Sequence, residues 1–392
     1  MSDLLYDADE EALRDTVRAL LATHAPWQRT LAAVDGDDPY DATLWRRLVD
    51  QLGVTGLAVP AEHGGAAAGF REVAVVLEEL GRAVAPVPFL GVAVATRALL
   101  ACAQDTLLRQ LAAGDRDVTV AVDFATTPDF ATAPDVAAAP DFAVALDARP
   151  DPVAVGPGPT LTGRVTGVAD AVPHGLLLVP AGDALYVVDA AEPAVRMAAV
   201  VSLDATRPLV DIDFTGAAAR PIATGAAAAD AVTAALTAGA ALLASEQVGL
   251  AQWCLDTTVA YVRQRHQFGR PVGSFQAVKH RLADVWVELT EARAVARYAA
   301  DRLGAAGPET ALAAALAQAY CGPVAVRAAE VCVQLHGGIG FTWEHPAHLY
   351  LKRAKSAAIA FGTADRHRAA LARLVDLPPP VTATGPPGAA VR

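Results

Sequence analysis

Arg263, Arg265, His266 and Arg270 crowd into one short stretch, Tyr261 to Gln276 (YVRQRHQFGRPVGSFQ), with Phe268 and Phe275 set among them. Guanidinium groups recognise phosphate through paired N–H donors, and helix ends present free amides to anions. A long Ala-rich helical pattern runs into the stretch. The breaker cluster Gly269-Arg270-Pro271-Val272-Gly273 ends it, and Ser274 is placed to cap a second long helix. The corner suits an anionic phosphate group. The plainer alternative is a solvated basic helix hairpin, since cations favour helix C-termini.

Other side chains could do acid–base work. Glu246 sits inside the Ala-rich helical pattern, where a carboxylate is unusual if buried, and Asp365 stands near the start of the last helical run. Their ordinary readings are a polar contact between helices for Glu246 and a helix-dipole partner for Asp365. His63 reads as a loop histidine touching backbone, and His367, beside Arg366, as a surface residue. Cys102, Cys254, Cys321 and Cys332 are widely spaced with no metal-ligand pattern, so no metal is expected, and they read as buried thiols of a reducing cytoplasm.

The elements that must position these groups follow from length and pattern. At 392 residues, 54% hydrophobic and 19% charged, the chain has the apolar content for two or three domains. A net charge of −12 disfavours nucleic acid, and no long charge-free apolar run suggests a membrane span. Residues 1–114 read as a helical domain, with amphipathic stripes over residues 7–24, Leu44–Leu52 and Phe70–Ala83 and a further run to about Gly114. Residues 115–222 carry short apolar runs between Pro, Gly and Asp, the pattern of a middle antiparallel β-domain, with a loose insertion over Ala125–Arg149. Residues 223–376 hold four long helical segments (about 230–265, 274–304, 308–336 and 346–374) joined by short breakers, hence a C-terminal four-helix bundle. The Pro-rich tail, 377–392, is expected to be disordered.

The text around the basic corner resembles the acyl-CoA dehydrogenase family. Gly249-Leu250-Ala251, Arg265-His266-Gln267-Phe268-Gly269, Gln276-Ala277-Val278 and Leu282-Ala283-Asp284 match a pattern that joins two helices of its bundle. Gln334-Leu335-His336-Gly337-Gly338-Ile339-Gly340-Phe341 resembles its Q-x-x-G-G-x-G-F motif, and Leu57 to Gly65 its L-x-x-P-E-x-x-G-G loop. The resemblance spans nearly the whole chain. It implies an α+β fold of helical domain, β-domain and bundle, with FAD held between subunits of a dimer or tetramer. It also implies α,β-dehydrogenation of an acyl-CoA or acyl-carrier thioester, and a possible electron-transfer flavoprotein partner. By motif, Arg265, Gln267, Phe268, Phe275, Gln276, Gln334, Gly337, Gly338 and Thr363 would contact FAD, largely that of the neighbouring subunit.

The resemblance breaks where the subunit's own site should be. The family's T-E-P-x-x-G-S-D loop falls on Ala121-Val122-Asp123-Phe124-Ala125, and its W-I-T strand on Thr166-Gly167-Val168-Ala169. Read without a gap, its base-bearing Y-E-G-T segment falls on Ala360-Phe361-Gly362-Thr363, with Phe361 in place of the carboxylate. The alternative base position on the first bundle helix falls on Gly239. Three readings follow. The chain is the base-less, flavin-completing subunit of a heteromeric dehydrogenase paired with a homologous subunit. Or it is a self-sufficient FAD enzyme with Asp365 or Glu246 as displaced base. Or it is a flavin-free enzyme or scaffold on the same fold.

Overall fold

The computed structural model describes residues 4–130 and 153–377, apart from positions 35, 37–39, 157, 306 and 308. The Pro-rich tail beyond Leu377 and most of the Ala125–Arg149 insertion lie outside the described residues. The N-terminal layer holds α1 (Ala8–His24), α2 (Trp27–Val34), α3 (Ala42–Leu52), α4 (Phe70–Ala83), α5 (Phe89–Ala101) and α6 (Asp105–Ala112). Asp7 and Glu10 form a capping box at the start of α1, each closing an amide the helix leaves free. The run expected to continue to Gly114 is two helices, because Ala103 takes a left-handed φ of 49° between them. Helix α2 has too short an apolar stripe to stand out from the sequence.

Among the described residues eight strands follow: β1 (Val118–Val120), β2 (Ala154–Val155), β3 (Thr160–Ala169), β4 (Leu176–Ala181), β5 (Ala184–Asp189), β6 (Val195–Val200), β7 (Leu209–Ala218) and β8 (Arg220–Thr224). They make two sheets, ordered β1-β4-β5-β8 and β2-β3-β7-β6. Pairing is antiparallel except between β1 and β4, which run parallel. Inward residues Leu161, Val179, Ile212 and Phe214 of both sheets fill a core of their own.

The remainder is the bundle: α7 (Ala226–Gln264), α8 (Gln276–Ala305), α9 (Glu309–His336), α10 (Ala347–Ala357) and α11 (Ala364–Leu374). The fourth expected segment is therefore two helices. Phe361 and Gly362 take φ values of 52° and 102°, which no right-handed helix can contain. Ser274 does not cap α8 either; its hydroxyl is buried without a partner, and the helix starts only after Phe275. Helices α7 and α9, with its short extension to Phe341, are long and apolar enough to cross a membrane. Most of each apolar window, 72% and 61%, is packed inside the protein, as befits core helices.

Helices α4 and α7 cross at a distance only glycine permits. A Cβ on Gly81 would lie 2.1 Å from the Glu246 carbonyl oxygen, and one on Gly249 would lie 1.7 Å from that of Glu78. This crossing ties the N-terminal layer to the bundle and places α5 beside the middle of α7.

Candidate functional site

The basic corner is a tight hairpin at the end of α7. His266-Gln267 and Arg270-Pro271 pair antiparallel as β9 and β10, leaving Phe268 and Gly269 as a two-residue loop. Both loop residues have positive φ, 54° and 75°, which matches the twist of a type I′ turn. Glycine fits that turn without strain; a phenylalanine does not. Phe268 is nevertheless held there 92% exposed, with its ring edge-on to Phe275 at 6.2 Å. The Arg270 guanidinium lies 3.9 Å over the Phe275 ring, a cation–π contact that fixes one cation on the hairpin face. Arg265, Gln267 and Gln276 are exposed on the same short segment. Strain spent on a protruding aromatic is a feature of contact sites.

The glycine turn lies alongside. Helix α9 ends at His336, Gly337 takes φ 63°, and a Cβ on Gly337 or Gly338 would meet nothing within 4 Å. Gln334, Gly337 and Gly338 are exposed, as are Phe341 and Trp343 just beyond. The Tyr261 ring, four residues before Arg265, stacks on His336 at 4.4 Å, so the two motifs share one corner. Thr363 sits elsewhere. Its hydroxyl caps α11 by accepting from the Arg366 amide.

The two positions on which the resemblance places the family's base, Phe361 and Gly239, face each other. A Cβ on Gly239 would lie 2.5 Å from the Phe361 ring, so the phenylalanine occupies the space over Gly239. Phe361 is held by backbone as well as by packing: its N–H donates to the Phe124 carbonyl at 2.8 Å, and its own carbonyl accepts from His367 at 2.9 Å. Phe124 and Phe361 meet edge to face at 5.4 Å. What remains open between them, Leu90, Gly91, Val94 and Asp170 is a cavity of about 30 Å³, room for no more than a few waters. His367 is therefore not a surface residue; it is fully buried because it shares its helix face with Ala370.

The displaced carboxylates do other things. Glu246 is buried between two arginines, with Arg207 Nη2 at 2.6 Å and Arg353 Nε at 2.8 Å. Asp204, Asp170 and Thr206 complete this inner network, which joins the β6–β7 loop, the end of β3, α7 and α10. Burial alone would raise the Glu246 carboxyl, but the two guanidiniums hold it down at about 2. Such a group is a poor proton acceptor near neutrality. Asp365, 92% exposed, pairs with Arg368 at 2.8 Å, and the left-handed break at Phe361-Gly362 interrupts the helix between it and Phe361. His63 meets the Asp105 carboxylate at 3.5 Å instead of backbone.

These groups set an acid limit on stability. Burial lowers His345 and His367 to about 4, so the fold keeps them neutral while the unfolded chain would protonate them near 6.5. The unfolded state then binds more protons, and stability present above pH 6.5 is lost as pH falls toward 4. Glu246, also depressed, extends the loss from 4.5 toward about 2. On the strength of these three groups urea midpoints should fall as pH drops from 6.5 toward 4, offset in part by His336, which despite burial is raised by its contacts with Cys332, and by Asp170 and Asp117, which burial raises. A midpoint constant down to pH 4 would contradict the buried neutral histidines.

The sequence model for the acyl-CoA dehydrogenase N-terminal domain matches residues 7–114, and that for the C-terminal domain matches residues 229–375. Acyl-CoA dehydrogenase IpdE2 of Mycolicibacterium smegmatis is 36% identical over 354 residues, covering 90% of this chain and 94% of the relative. The chain belongs to the acyl-CoA dehydrogenase family. The ChsE4–ChsE5 complex from Mycobacterium tuberculosis includes a chain 27% identical to this family member, with a TM-score of 0.80 over 96% of this chain and 100% of that one. A variant of the Tcur3481–Tcur3483 steroid ACAD is 28% identical, with a TM-score of 0.79 over 94% and 98% of the two chains. The acyl-CoA dehydrogenase fold is thus shared along the whole described chain, flavoprotein oxidoreductases being its family.

Proposed function

We propose that this chain is the base-less, flavin-completing subunit of a heteromeric acyl-CoA dehydrogenase, working on a bulky acyl thioester of steroid type. The observation that carries the reading is the Phe361 ring over Gly239. Both base positions of the family lack a carboxylate, and the space between them is filled by a hydrocarbon ring. The residues that would reach toward a neighbour are exposed: Arg265, Gln267, Phe268 and the Gly337-Gly338 turn. Two similar solved structures support a mixed assembly and a substrate class, one named as a two-component complex and one as a steroid ACAD.

FAD fits one half of this geometry and not the other. The open glycine turn and the arginine hairpin suit a dinucleotide held by the neighbouring subunit. A cavity of about 30 Å³ cannot admit an isoalloxazine ring beside a thioester in this chain. When bound, the flavin supplies a hydride acceptor to the neighbour's substrate. In that assembly Arg265 would offset pyrophosphate charge, Gly337 and Gly338 would let backbone amides approach it, and Phe268 would exclude water from the seam. The partner subunit would contribute the carboxylate and the acyl pocket. Electron transfer to a flavoprotein acceptor would follow from the family.

The test is to purify the chain alone and together with the catalytically complete homologue encoded nearest to it. Yellow flavin absorbance is expected only in the mixed complex. Arg265→Ala should strip flavin from that complex, while Asp365→Asn should leave flavin content and turnover unchanged. Flavin in the lone chain, or a large loss of turnover in Asp365→Asn, would favour a self-sufficient enzyme. No flavin in either sample would leave the fold without its redox chemistry.

A further inference from the structure

Behind the two exposed motifs runs a column of rings that neither motif requires. Tyr261 stacks on His336 at 4.4 Å, and His336 on His345 at 4.2 Å. His345 then meets Trp253 at 6.1 Å, and Trp253 lies flat on Tyr350 at 3.6 Å with an interplanar angle of 5°. The Tyr350 hydroxyl donates to the Arg82 carbonyl at 2.7 Å, anchoring the column on α4. Every ring belongs to a different point of the bundle: Tyr261 and Trp253 to α7, His336 to the end of α9, His345 to the approach to α10, Tyr350 to α10 itself.

His336 is the pivot. Its Nδ1–H donates to the Cys332 carbonyl at 2.7 Å, closing the last turn of α9 immediately before Gly337. Its Nε2 is buried without a partner, and the residue is 3% exposed. A leucine would pack there at no polar cost, so burying an imidazole with an orphan nitrogen calls for a reason. On the other side of the ring, the Tyr261 carbonyl accepts from the Arg265 amide at 2.9 Å, at the base of the hairpin. One ring thus touches the root of each motif.

We propose that His336 is the positioning residue of the flavin-facing surface, clamped between Tyr261 and His345 so as to set the distance between the Arg265 hairpin and the Gly337-Gly338 turn. The proposal rests on the proposed function for its meaning, but its geometry can be tested without flavin. A dinucleotide touching both motifs needs their spacing fixed before it arrives, since each unordered contact subtracts from affinity.

The histidine pair also makes the clamp sensitive to acid. The groups around it are the Cys332 and Cys254 thiols, the Tyr350 hydroxyl, His348, and Arg82 beyond Tyr350, with the Tyr261 ring face against His336. His345 Nδ1 accepts from the Ala347 amide at 3.3 Å, an arrangement that requires that nitrogen unprotonated. A proton there breaks the bond and sets an imidazolium against His336.

Amide hydrogen exchange on the lone chain tests this. In His336→Ala, exchange of residues 265–275 should quicken roughly three- to tenfold, the worth of a stacked ring pair, although the substitution lies on another helix. Residues 235–250 should not change. His336→Phe keeps the stack and should restore wild-type exchange in residues 265–275. If His336→Ala does not fold, Tyr261→Leu gives the same reading from the other side. In the wild type, exchange of residues 265–275, corrected for intrinsic pH dependence, should rise as pH falls from 6.5 toward 4, and His345→Phe should abolish that rise. Unchanged exchange in residues 265–275 of His336→Ala, equal disturbance in His336→Phe, or an acid rise that survives His345→Phe overturns the proposal. Flavin arriving only in the mixed complex while exchange stays unchanged would sink the positioning role alone; exchange behaving as expected with no flavin anywhere would sink the functional reading alone.

Discussion

Glu246→Gln is expected to destabilise the protein by about 3–5 kcal/mol, the usual cost of removing one partner from a buried ion pair. Arg207 and Arg353 are each 3% exposed and both point at this carboxylate. The amide would leave two cations facing a neutral group, with Asp204 and Asp170 on their far sides at 3.6 and 3.5 Å as the remaining counter-charges. A urea titration followed by circular dichroism measures the loss. The same substitution separates structure from catalysis. Turnover of the folded mixed complex, per bound flavin, should be unaffected, because a carboxylate held at about 2 between two arginines is not a base. A stable Glu246→Gln protein that has lost turnover would reverse that assignment.

Phe361→Ala is the second large effect, at about 3–5 kcal/mol for truncating a buried phenylalanine. Little can collapse into the gap, since Gly239 beneath it has no side chain and the Phe361 backbone is pinned to Phe124 and His367. The vacated ring would merge with the existing cavity of about 30 Å³, and a small aromatic such as benzene or indole should raise the melting temperature of the variant and not of the wild type. Phe361→Glu, which places a carboxylate at the position proposed for the family's base, should give no dehydrogenation in the lone chain. Refilling the base position does not reopen a site walled by Phe124, Leu90 and Val94. Turnover by that variant alone would mean the pocket opens more easily than its packing indicates.

Much of the basic corner could be read in advance because its signals are local. Gly269, Pro271 and Gly273 punctuate the chain within a few residues of the arginines they position. The proposal that the base is missing rests on an equally local signal, since Phe361 follows the glycine motif without a gap. Partnerships across the chain were not. Glu246 meets Arg207 and Arg353, 39 and 107 residues away, and no periodicity on α7 announces them. Arg366 beside it points to a surface position for His367, but the helix face it shares with Ala370 decides its burial. The split of the last helical segment was missed because an aromatic with left-handed backbone carries no compositional mark. The ring column is invisible for a further reason. Its members come from four stretches of sequence, and stacking is a property of their meeting.

The strained aromatic at the hairpin tip also bears on how the cell must handle this protein. Phe268, Phe341 and Trp343 are 92%, 76% and 59% exposed, three large rings left facing solvent in the chain by itself. A copy released from synthesis without a mate would offer that face to chaperones and proteases, or to other copies of itself. If the proposed partner subunit covers those rings, steady-state abundance of this chain should track the partner's supply, and surplus chains should be short-lived.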